Sequence, residues 1–187
     1  MILVAGLGNP EAGYAKNRHN FGFMAADELC RQFSFSDYKH KFSGLVAEGK
    51  IAGEKVLVLK PLTFMNRSGI SVSEAANFYK LSPEQVIVFH DDLDLDFGKV
   101  KAKKGGGNAG HNGLKSIDAH FGNAYIRIRL GISHPDKQQV VSYVLADFTA
   151  SEREEISFLL SDVANAFPEL ITGGTSAFTN KLALLRG

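Results

Sequence analysis

The chain has 187 residues, of which 44% are hydrophobic and 22% are charged, and its formal net charge is +1. This length and composition are those of one globular domain, so they exclude a wholly disordered or fibrous chain. Cys30 is the only cysteine, which excludes an intrachain disulfide and any multi-cysteine metal site and predicts a reducing, cytoplasmic environment. No stretch approaches the roughly 18 apolar residues of a membrane span, so we expect no membrane partner.

The first half of the chain alternates predicted strands with predicted helices. Short apolar runs bounded by glycine, proline or charged residues indicate strands, whereas apolar residues spaced three and four apart indicate helices. In chain order the elements are a strand over 1–7, a helix over 21–33, a β-hairpin with strands 45–51 and 56–59, a helix over 70–79 and a buried strand over 86–89. The last strand carries His90, Asp91 and Asp92 at its C-terminal end, where α/β folds collect ligand-binding groups.

A basic segment begins after this acidic strand end. Residues 97–134 contain seven lysines or arginines and one acid, a net charge of +6, while the rest of the chain carries −5. Period-two alternation predicts strands over 99–103 and 126–130, and it places Lys99, Lys101 and Lys103 on one face. A short helix is predicted between these strands, over 114–121.

The C-terminal part of the sequence is predicted to be helical. Ser151 and Glu154 have the spacing of a capping box before a long apolar helical face. We expect Pro168 to kink or end this helix, and Gly173-Gly174 to separate a last short helix from it. Because strands and helices interleave without a repeat or a linker, we predict a single α/β domain over 1–187, with a central twisted mixed β-sheet surrounded by helices.

Several common motifs fail when their positions are counted. Gly6-Leu7-Gly8 follows the first strand, but the third glycine of a dinucleotide-binding fingerprint would fall on Glu11. The acidic run 92–103 is not a calcium loop, because Lys103 stands where a bidentate glutamate is required. The sequence has no G-x-S-x-G elbow, and Cys30 has the pattern of a packed thiol, so covalent catalysis lacks a candidate. His90 with Asp91 stays open as part of a divalent-metal site.

Three polar clusters lie where loops meet predicted helices, at 17–20, 64–69 and 110–113. Each has a structural explanation, because Asn20, Asn66, Ser68 and Asn112 are all plausible helix N-caps. Asp91 differs from them, since it follows a fully apolar strand. A histidine and an aspartate together with amide side chains form a set that can activate water.

In their order along the chain, these residues resemble the bacterial peptidyl-tRNA hydrolases. The matching stretches are Gly6-Leu7-Gly8-Asn9-Pro10 with Tyr14 and Arg18-His19-Asn20; Phe64-Met65-Asn66 with Ser68-Gly69; His90-Asp91-Asp92-Leu93-Asp94-Leu95; Gly105-Gly106-Gly107 with Gly110-His111-Asn112-Gly113-Leu114-Lys115; and Arg129-Leu130-Gly131-Ile132 with His134-Pro135. They extend from residue 1 to about residue 145.

The resemblance implies hydrolysis of the ester between a peptide and the terminal ribose of tRNA, without a cofactor or a metal. In that reaction His19 would be the general base on water and Asp91 would orient it. Asparagine amides would hold the substrate and the developing oxyanion. The residues carried over are catalytic His19, Asp91, Asn9, Asn66 and Asn112, and substrate-binding Tyr14, Met65, Asn66, Asn112 and His111.

For RNA, the resemblance implies contacts of Lys99, Lys101, Lys103 and Arg129 with tRNA phosphates, with the acceptor stem and CCA end as the bound parts and the protein acting as a monomer. A solvated lysine face is the alternative for these side chains. Two other classes of function also remain open. One is a non-catalytic RNA-binding protein of the same fold, and the other is a metal-dependent phosphoesterase.

Overall fold

A computed structural model describes all 187 residues and arranges them around one seven-stranded mixed sheet. The strands are β1 Ile2–Gly6, β2 Lys39–Lys41, β3 Gly44–Ile51, β4 Glu54–Pro61, β5 Val86–Asp92, β6 Val100–Lys104 and β7 Ile126–Gly131. Their order across the sheet is β2-β3-β4-β1-β5-β7-β6. The central strands β4, β1, β5 and β7 are parallel, and the β2–β3, β3–β4 and β6–β7 pairs are antiparallel. The α/β class with a mixed sheet is therefore confirmed.

Helices cover both faces of the sheet. They are α1 Phe21–Gln32, α2 Ser68–Phe78, α3 Asn112–Phe121, α4 Val140–Val144 and α5 Ala150–Arg186. Side chains alternate between the faces of a strand, so Val4 of β1 packs with α1 and α5, whereas Leu3 packs with α2 and α3. The two apolar cores lie on opposite sides of the same strands. None of the helices is both long and apolar enough to span a membrane.

Two glycines bring α1 against the ends of the central strands. A Cβ on Gly22 would lie 2.5 Å from the Leu7 nitrogen and from the Phe89 carbonyl oxygen, and a Cβ on Gly6 would lie 2.3 Å from the Gly22 oxygen. Any larger side chain at either position would push the helix away from the sheet. This close approach fixes the start of α1, and with it the preceding residues 18–20, over the C-terminal ends of β1 and β5.

The predicted start of the C-terminal helix is wrong by two residues. Thr149 caps α5, its hydroxyl accepts from the Glu152 nitrogen, and the Glu152 carboxylate accepts from the Thr149 nitrogen. Ser151 and Glu154 have the same spacing and lie inside the helix. The helix does not end at Pro168. Its backbone leaves helical angles only at Gly174, with φ of 82°, which confirms the predicted break there.

Candidate active site

One buried carboxylate and two histidines form the centre of the site. Asp91 lies at the end of β5 and is 2% exposed. His19 Nδ1 lies 2.8 Å from Asp91 Oδ2, and His111 Nε2 lies 2.8 Å from Asp91 Oδ1. The three residues come from the segment before α1, the end of β5 and the residue before α3. The sequence therefore identified two residues, His19 and Asp91, that meet although they stand far apart in the chain.

The hydrogen bonds fix which nitrogen of each ring carries a proton. The Gly113 and Leu114 nitrogens donate to His111 Nδ1 at 3.1 and 3.3 Å, so the neutral ring of His111 carries its proton on Nε2 and donates it to Asp91. His19 donates from Nδ1 to the other Asp91 oxygen. Its Nε2 therefore keeps a lone pair and has no protein partner, which leaves it available to water.

Burial and neighbouring charges shift the pKa values of His19 and Asp91 in opposite directions. Burial lowers the pKa of His19, but the charge and hydrogen bond of Asp91 outweigh it, and the net result is a pKa above the usual 6.5. Burial raises the pKa of Asp91, yet its two histidine partners hold that pKa far below its usual value. Asp91 is thus a carboxylate that holds His19 in one orientation and one tautomer.

His90 occupies a different position from the one a metal site with Asp91 would need. Its Nδ1 donates to the Asp91 carbonyl oxygen at 2.8 Å, and its Nε2 is buried without a partner. Burial, followed by the neighbouring His111, lowers the pKa of His90 to about 4, so the ring is neutral. The structure therefore gives no support to the divalent-metal site that the sequence left open for His90 with Asp91.

The donor set of His19, Asp91 and His111 does not fit a metal ion either, although its ligand atoms lie within 4.8 Å of one another. A metal takes the lone pair of a histidine nitrogen. His111 Nε2 carries a proton because Nδ1 accepts from two backbone amides, so it offers no lone pair. These residues are arranged for proton transfer and hydrogen bonding.

Asparagines extend the site along the ends of β1 and β4. The Asn9 nitrogen donates to Asn20 Oδ1 at 2.8 Å, and Asn20 Nδ2 donates to the Asn9 oxygen at 3.0 Å. Asn9 Oδ1 accepts from the Met65 nitrogen at 2.9 Å, so Asn9 joins the His19 segment to the loop after β4. Asn20 therefore acts as a brace for Asn9; its side chain does not cap α1, contrary to its predicted capping role.

Asn66 and Asn112, the other two asparagines predicted to be catalytic, are exposed, and their side chains make no hydrogen bond within the protein. Asn66 lies in a 3₁₀ turn before α2. Asn112 is the first residue of α3, and the N-cap is His111, whose side chain accepts the two amides, so the capping explanation of Asn112 is wrong. Phe64, just before this turn, has φ of 60°, a conformation that costs about 1–3 kcal/mol and is concentrated at functional sites.

These groups share one cavity of about 810 Å³. Its lining includes the predicted residues Asn9, His19, Met65, Asn66, Asp91, Lys103, His111, Asn112 and Arg129. An apolar wall that the sequence did not predict comes from α4 and the residue after it: Val140, Val141, Val144 and Leu145. Tyr14 lies in a 3₁₀ turn and is not part of the lining.

Comparison with known proteins identifies the family of this chain. Residues 3–186 match the family model described as peptidyl-tRNA hydrolase. The chain is 55% identical to the peptidyl-tRNA hydrolase of Azorhizobium caulinodans and 53% identical to that of Parvibaculum lavamentivorans, in each case over 98% of this chain and 91% of the relative. The chain belongs to the peptidyl-tRNA hydrolase family.

Solved structures of the family have the same fold. The crystal structure of peptidyl-tRNA hydrolase from Acinetobacter baumannii superposes with a TM-score of 0.92 at 36% identity, covering 97% of this chain and 94% of that one.

The basic residues predicted to bind RNA lie on one face of β6 and β7. Lys101 pairs in register with Arg129, and Lys103 pairs with Arg127. Lys103 and Arg129 line the cavity, whereas Lys99 and Lys101 are exposed outside it. Arg129 Nε donates to Asp92 Oδ2 at 2.7 Å, so this guanidinium is already shared with an acid next to Asp91. The basic residues Lys103 and Arg129 thus lie in the same cavity as the His19–Asp91 pair.

Two buried arginines were missed by the sequence reasoning. Arg18 is 9% exposed and Arg127 is 2% exposed. Both donate mainly to backbone carbonyls of segments distant in sequence, which no local pattern reveals. The only signal for Arg127 was its place in an alternating strand between apolar residues.

Proposed function

We propose that this protein hydrolyses the ester bond between peptide and tRNA in peptidyl-tRNA, and so returns free tRNA to translation in the cytoplasm. The observation that carries the proposal is the His19–Asp91 pair, which leaves His19 Nε2 unprotonated on a ring that lines the cavity. Membership of the family supplies the substrate class.

In the proposed mechanism His19 removes a proton from water as the water oxygen attacks the ester carbonyl. The bond between the carbonyl carbon and the ribose oxygen then breaks, and the imidazolium returns its proton to the leaving ribose oxygen. A positioned base contributes about 10² to 10⁴ in rate. Asp91 holds the Nδ1 proton and stabilises the imidazolium that forms, as the aspartate does in serine hydrolases, but here water takes the place of the serine. No metal or cofactor takes part.

Uncharged amides and an apolar wall complete the proposed site. Asn66 and Asn112 have free side-chain amides that can donate to the peptide and to the oxyanion. Asn9 is tied to Met65 through its Oδ1, which leaves its Nδ2 for the substrate. Met65 and His111 flank the scissile ester. We place Tyr14 at the outer edge of the bound peptide or ribose, since it lies outside the cavity lining.

The RNA part of the substrate would bind as a CCA end in the cavity and an acceptor stem on the basic face. Lys99, Lys101, Lys103 and Arg129 would contact phosphates, which carry no sequence information and so suit every elongator tRNA. One chain holds the whole set of residues, so we propose that the protein acts as a monomer.

A single-turnover assay on peptidyl-tRNA tests the proposal. We expect hydrolysis by the wild-type protein, and we expect His19→Ala to lose at least about a hundredfold in rate while binding tRNA within a few-fold of wild type. Saturating EDTA should leave the rate unchanged on a small peptidyl-adenosine ester, for which magnesium-dependent tRNA folding plays no part. Wild-type rates in His19→Ala would refute the role of His19, and a loss restored by Zn²⁺ or Mn²⁺ would refute metal independence.

A further inference from the structure

A buried arginine holds the glycine-rich loop of residues 105–110, which lines the cavity. Arg127 Nη1 donates to the Gly107 carbonyl oxygen at 2.5 Å, and Nη2 donates to the Gly106 carbonyl oxygen at 2.7 Å. The guanidinium is 2% exposed and lies beneath the loop, on the sheet. Two consecutive carbonyls of the loop therefore point inward to the same side chain.

This arrangement sets the direction of two backbone N–H groups. No peptide bond in the chain is cis, and in a trans peptide the carbonyl and the following N–H point in opposite directions. The N–H groups of Gly107 and Asn108 must therefore point away from Arg127. Neither of them donates to any group of the protein, and both residues line the cavity. They form a pair of adjacent, unpartnered donors.

Further contacts hold this donor pair in place. Asp118 lies 3.7 Å from the Arg127 guanidinium, accepts from the Tyr125 hydroxyl at 2.8 Å and accepts from Asn108 Nδ2 at 3.5 Å. The loop is thus fixed from below by an arginine and from the side by a carboxylate. Donors held in this way lose little entropy when they bind a ligand.

A positive charge lies beside the pair. A Cβ on Gly106 would be 3.0 Å from Lys103 Nζ, so the ammonium group packs directly against the loop. Lys103 has no carboxylate partner in the protein. Consecutive backbone N–H groups with an adjacent cation form a site for an anion such as a phosphate group.

We propose that the N–H groups of Gly107 and Asn108, preset by Arg127 and assisted by Lys103, bind a phosphodiester group of the single-stranded 3′ end of the RNA substrate. This inference rests on the proposed function, since it assigns a subsite for that substrate. It gives Arg127 the role of a positioning residue, which shapes the phosphate site without touching the phosphate.

Amide NMR on the wild-type protein tests the contact directly. Titration of ¹⁵N-labelled protein with the trinucleotide CpCpA should move the Gly107 and Asn108 amide resonances, whereas adenosine, which has no phosphate, should leave them in place. Inorganic phosphate should move the same two resonances at higher concentration. If adenosine alone shifts them as much as CpCpA does, or if CpCpA shifts neither, the proposal is overturned.

Kinetics with one matched pair of variants test the function of the contact. Both Asn108→Pro and Asn108→Ala remove the asparagine side chain, but only Asn108→Pro also removes the backbone N–H. With a peptidyl-CpCpA ester we expect KM to be about tenfold higher in Asn108→Pro than in Asn108→Ala, because a hydrogen bond to a charged group is lost. With a peptidyl-adenosine ester the two variants should agree within about twofold.

The outcomes separate this inference from the proposed function. A wild-type protein that cleaves neither ester would refute the proposed function itself. If the wild type cleaves both esters and Asn108→Pro damages both equally, the N–H pair acts at the reacting ester, and the phosphate subsite is wrong. Equal KM values of Asn108→Pro and Asn108→Ala for the peptidyl-CpCpA ester would also overturn the proposed phosphate subsite. Should Asn108→Pro fail to fold, the wild-type titration decides alone.

Discussion

At the scale of single residues, the site depends on one carboxylate that serves two histidines in different ways. His111 must donate to Asp91, because its other nitrogen accepts from two backbone amides. His19 also donates to Asp91 from Nδ1, and in doing so it leaves its Nε2, the proposed base, without a protein partner. A carboxylate can accept both bonds at once, which a neutral amide of the same shape cannot do.

The pH dependence of the reaction should follow the titration of His19. Asp91 raises its pKa above 6.5 against the opposing effect of burial, so kcat/KM should rise with pH through a midpoint above 6.5. In Asp91→Ala only burial remains, and the midpoint of the residual activity should move below 6.5. A pH series on a peptidyl-adenosine ester measures both midpoints. The pKa of His90 is lowered to about 4, so its titration lies outside this pH range. If the midpoint is unchanged in Asp91→Ala, the pH profile reports a group other than His19.

Asp91→Asn should lower kcat by more than the loss of one negative charge alone would. The fixed Nε2 proton of His111 requires an acceptor, so the asparagine oxygen must face His111 and its NH₂ must face His19 Nδ1. The proton of His19 then moves to Nε2, and the base is lost. We expect kcat to fall by about 10³ to 10⁴, as in other histidine–aspartate pairs.

A double-mutant cycle checks this explanation. In His111→Asn the amide can turn its oxygen toward His19, because no ring N–H faces it, and asparagine still caps α3. The factor by which Asp91→Asn lowers kcat/KM should therefore be at least about tenfold smaller in the His111→Asn background than in wild type. Equal factors in the two backgrounds would show that the tautomer of His19 is not set through His111.

At the scale of elements, most strands and the hairpin could be predicted, because apolar runs or period-two alternation identify strands wherever they lie in the sheet. The short strand β2 was not predicted, since Lys39-His40-Lys41 is exposed and has no apolar residue. The start of α5 could not, since Ser151–Glu154 and Thr149–Glu152 have the same spacing and local sequence does not choose between them. Pro168 does not end the helix, whose neighbouring residue Phe167 is fully buried against the sheet. Tertiary packing outweighed the local preference.

Within the site, the motif residues could be named from the resemblance but their contacts could not be derived from spacing. His19 and Asp91 are 72 positions apart, and only the parallel pairing of β1 with β5 brings them together. Arg18 and Arg127 are charged residues with buried guanidinium groups, which their local sequence does not distinguish from surface residues. Their partners are carbonyls from remote segments.

Arg18 links the residues before His19 to the apolar wall of the cavity. Its Nη1 donates to the carbonyl oxygens of Tyr143 and Ala146 at 3.3 and 3.4 Å, and its Nη2 pairs with Glu152 at 3.1 Å. The guanidinium also stacks 4.2 Å from the centroid of the Tyr143 ring. One side chain therefore joins α4, the cap of α5 and the His19 segment.

Arg18→Lys should loosen these elements without altering the base itself. A compact lysine ammonium lacks the planar fork that reaches these separated acceptors and cannot stack on the Tyr143 ring. We therefore expect a loss of about 1–3 kcal/mol in unfolding free energy and about a tenfold fall in kcat/KM. The midpoint of the pH profile should stay at the wild-type value, because the Asp91 contact of His19 is retained. Denaturant unfolding and a pH series provide the two measurements.

Arg31→Lys is the matched control for this prediction. Arg31 forms an exposed pair with Glu28 one turn away on α1, and such pairs contribute less than about 0.5 kcal/mol. Stability and kcat/KM should both stay near wild type. If Arg18→Lys shifts the pH midpoint, then Arg18 acts on the ionisation of His19 and not on the position of α4.

At the scale of the whole molecule, the sheet separates two surfaces. Val100 and Ala102 of β6 face the core that contains α1 and α5, so Lys101 and Lys103 lie on the opposite face of the strand, and Lys103 lines the cavity there. Helix α5 is therefore on the other side of this edge of the sheet. The strand end that carries Asp91 and the basic edge strand β6 meet at the cavity. Under the proposed function, this arrangement would place the ester beside the RNA duplex.

Lys101→Ala combined with Lys103→Ala should weaken RNA binding and spare the chemistry. The two lost phosphate contacts should raise KM for peptidyl-tRNA and flatten the slope of log(kcat/KM) against log salt by about 1.5, while hydrolysis of peptidyl-adenosine changes less than about twofold. Lys50→Ala combined with Lys55→Ala removes the same charge from a cross-strand pair on the far hairpin and should leave both substrates unaffected. Because the two double variants have equal net charge, a difference between them reports the location of the RNA. If the two double variants change KM for peptidyl-tRNA equally, tRNA binding depends only on the overall charge of the protein. If Lys101→Ala with Lys103→Ala slows the hydrolysis of both substrates equally, these lysines act in the catalytic cavity instead.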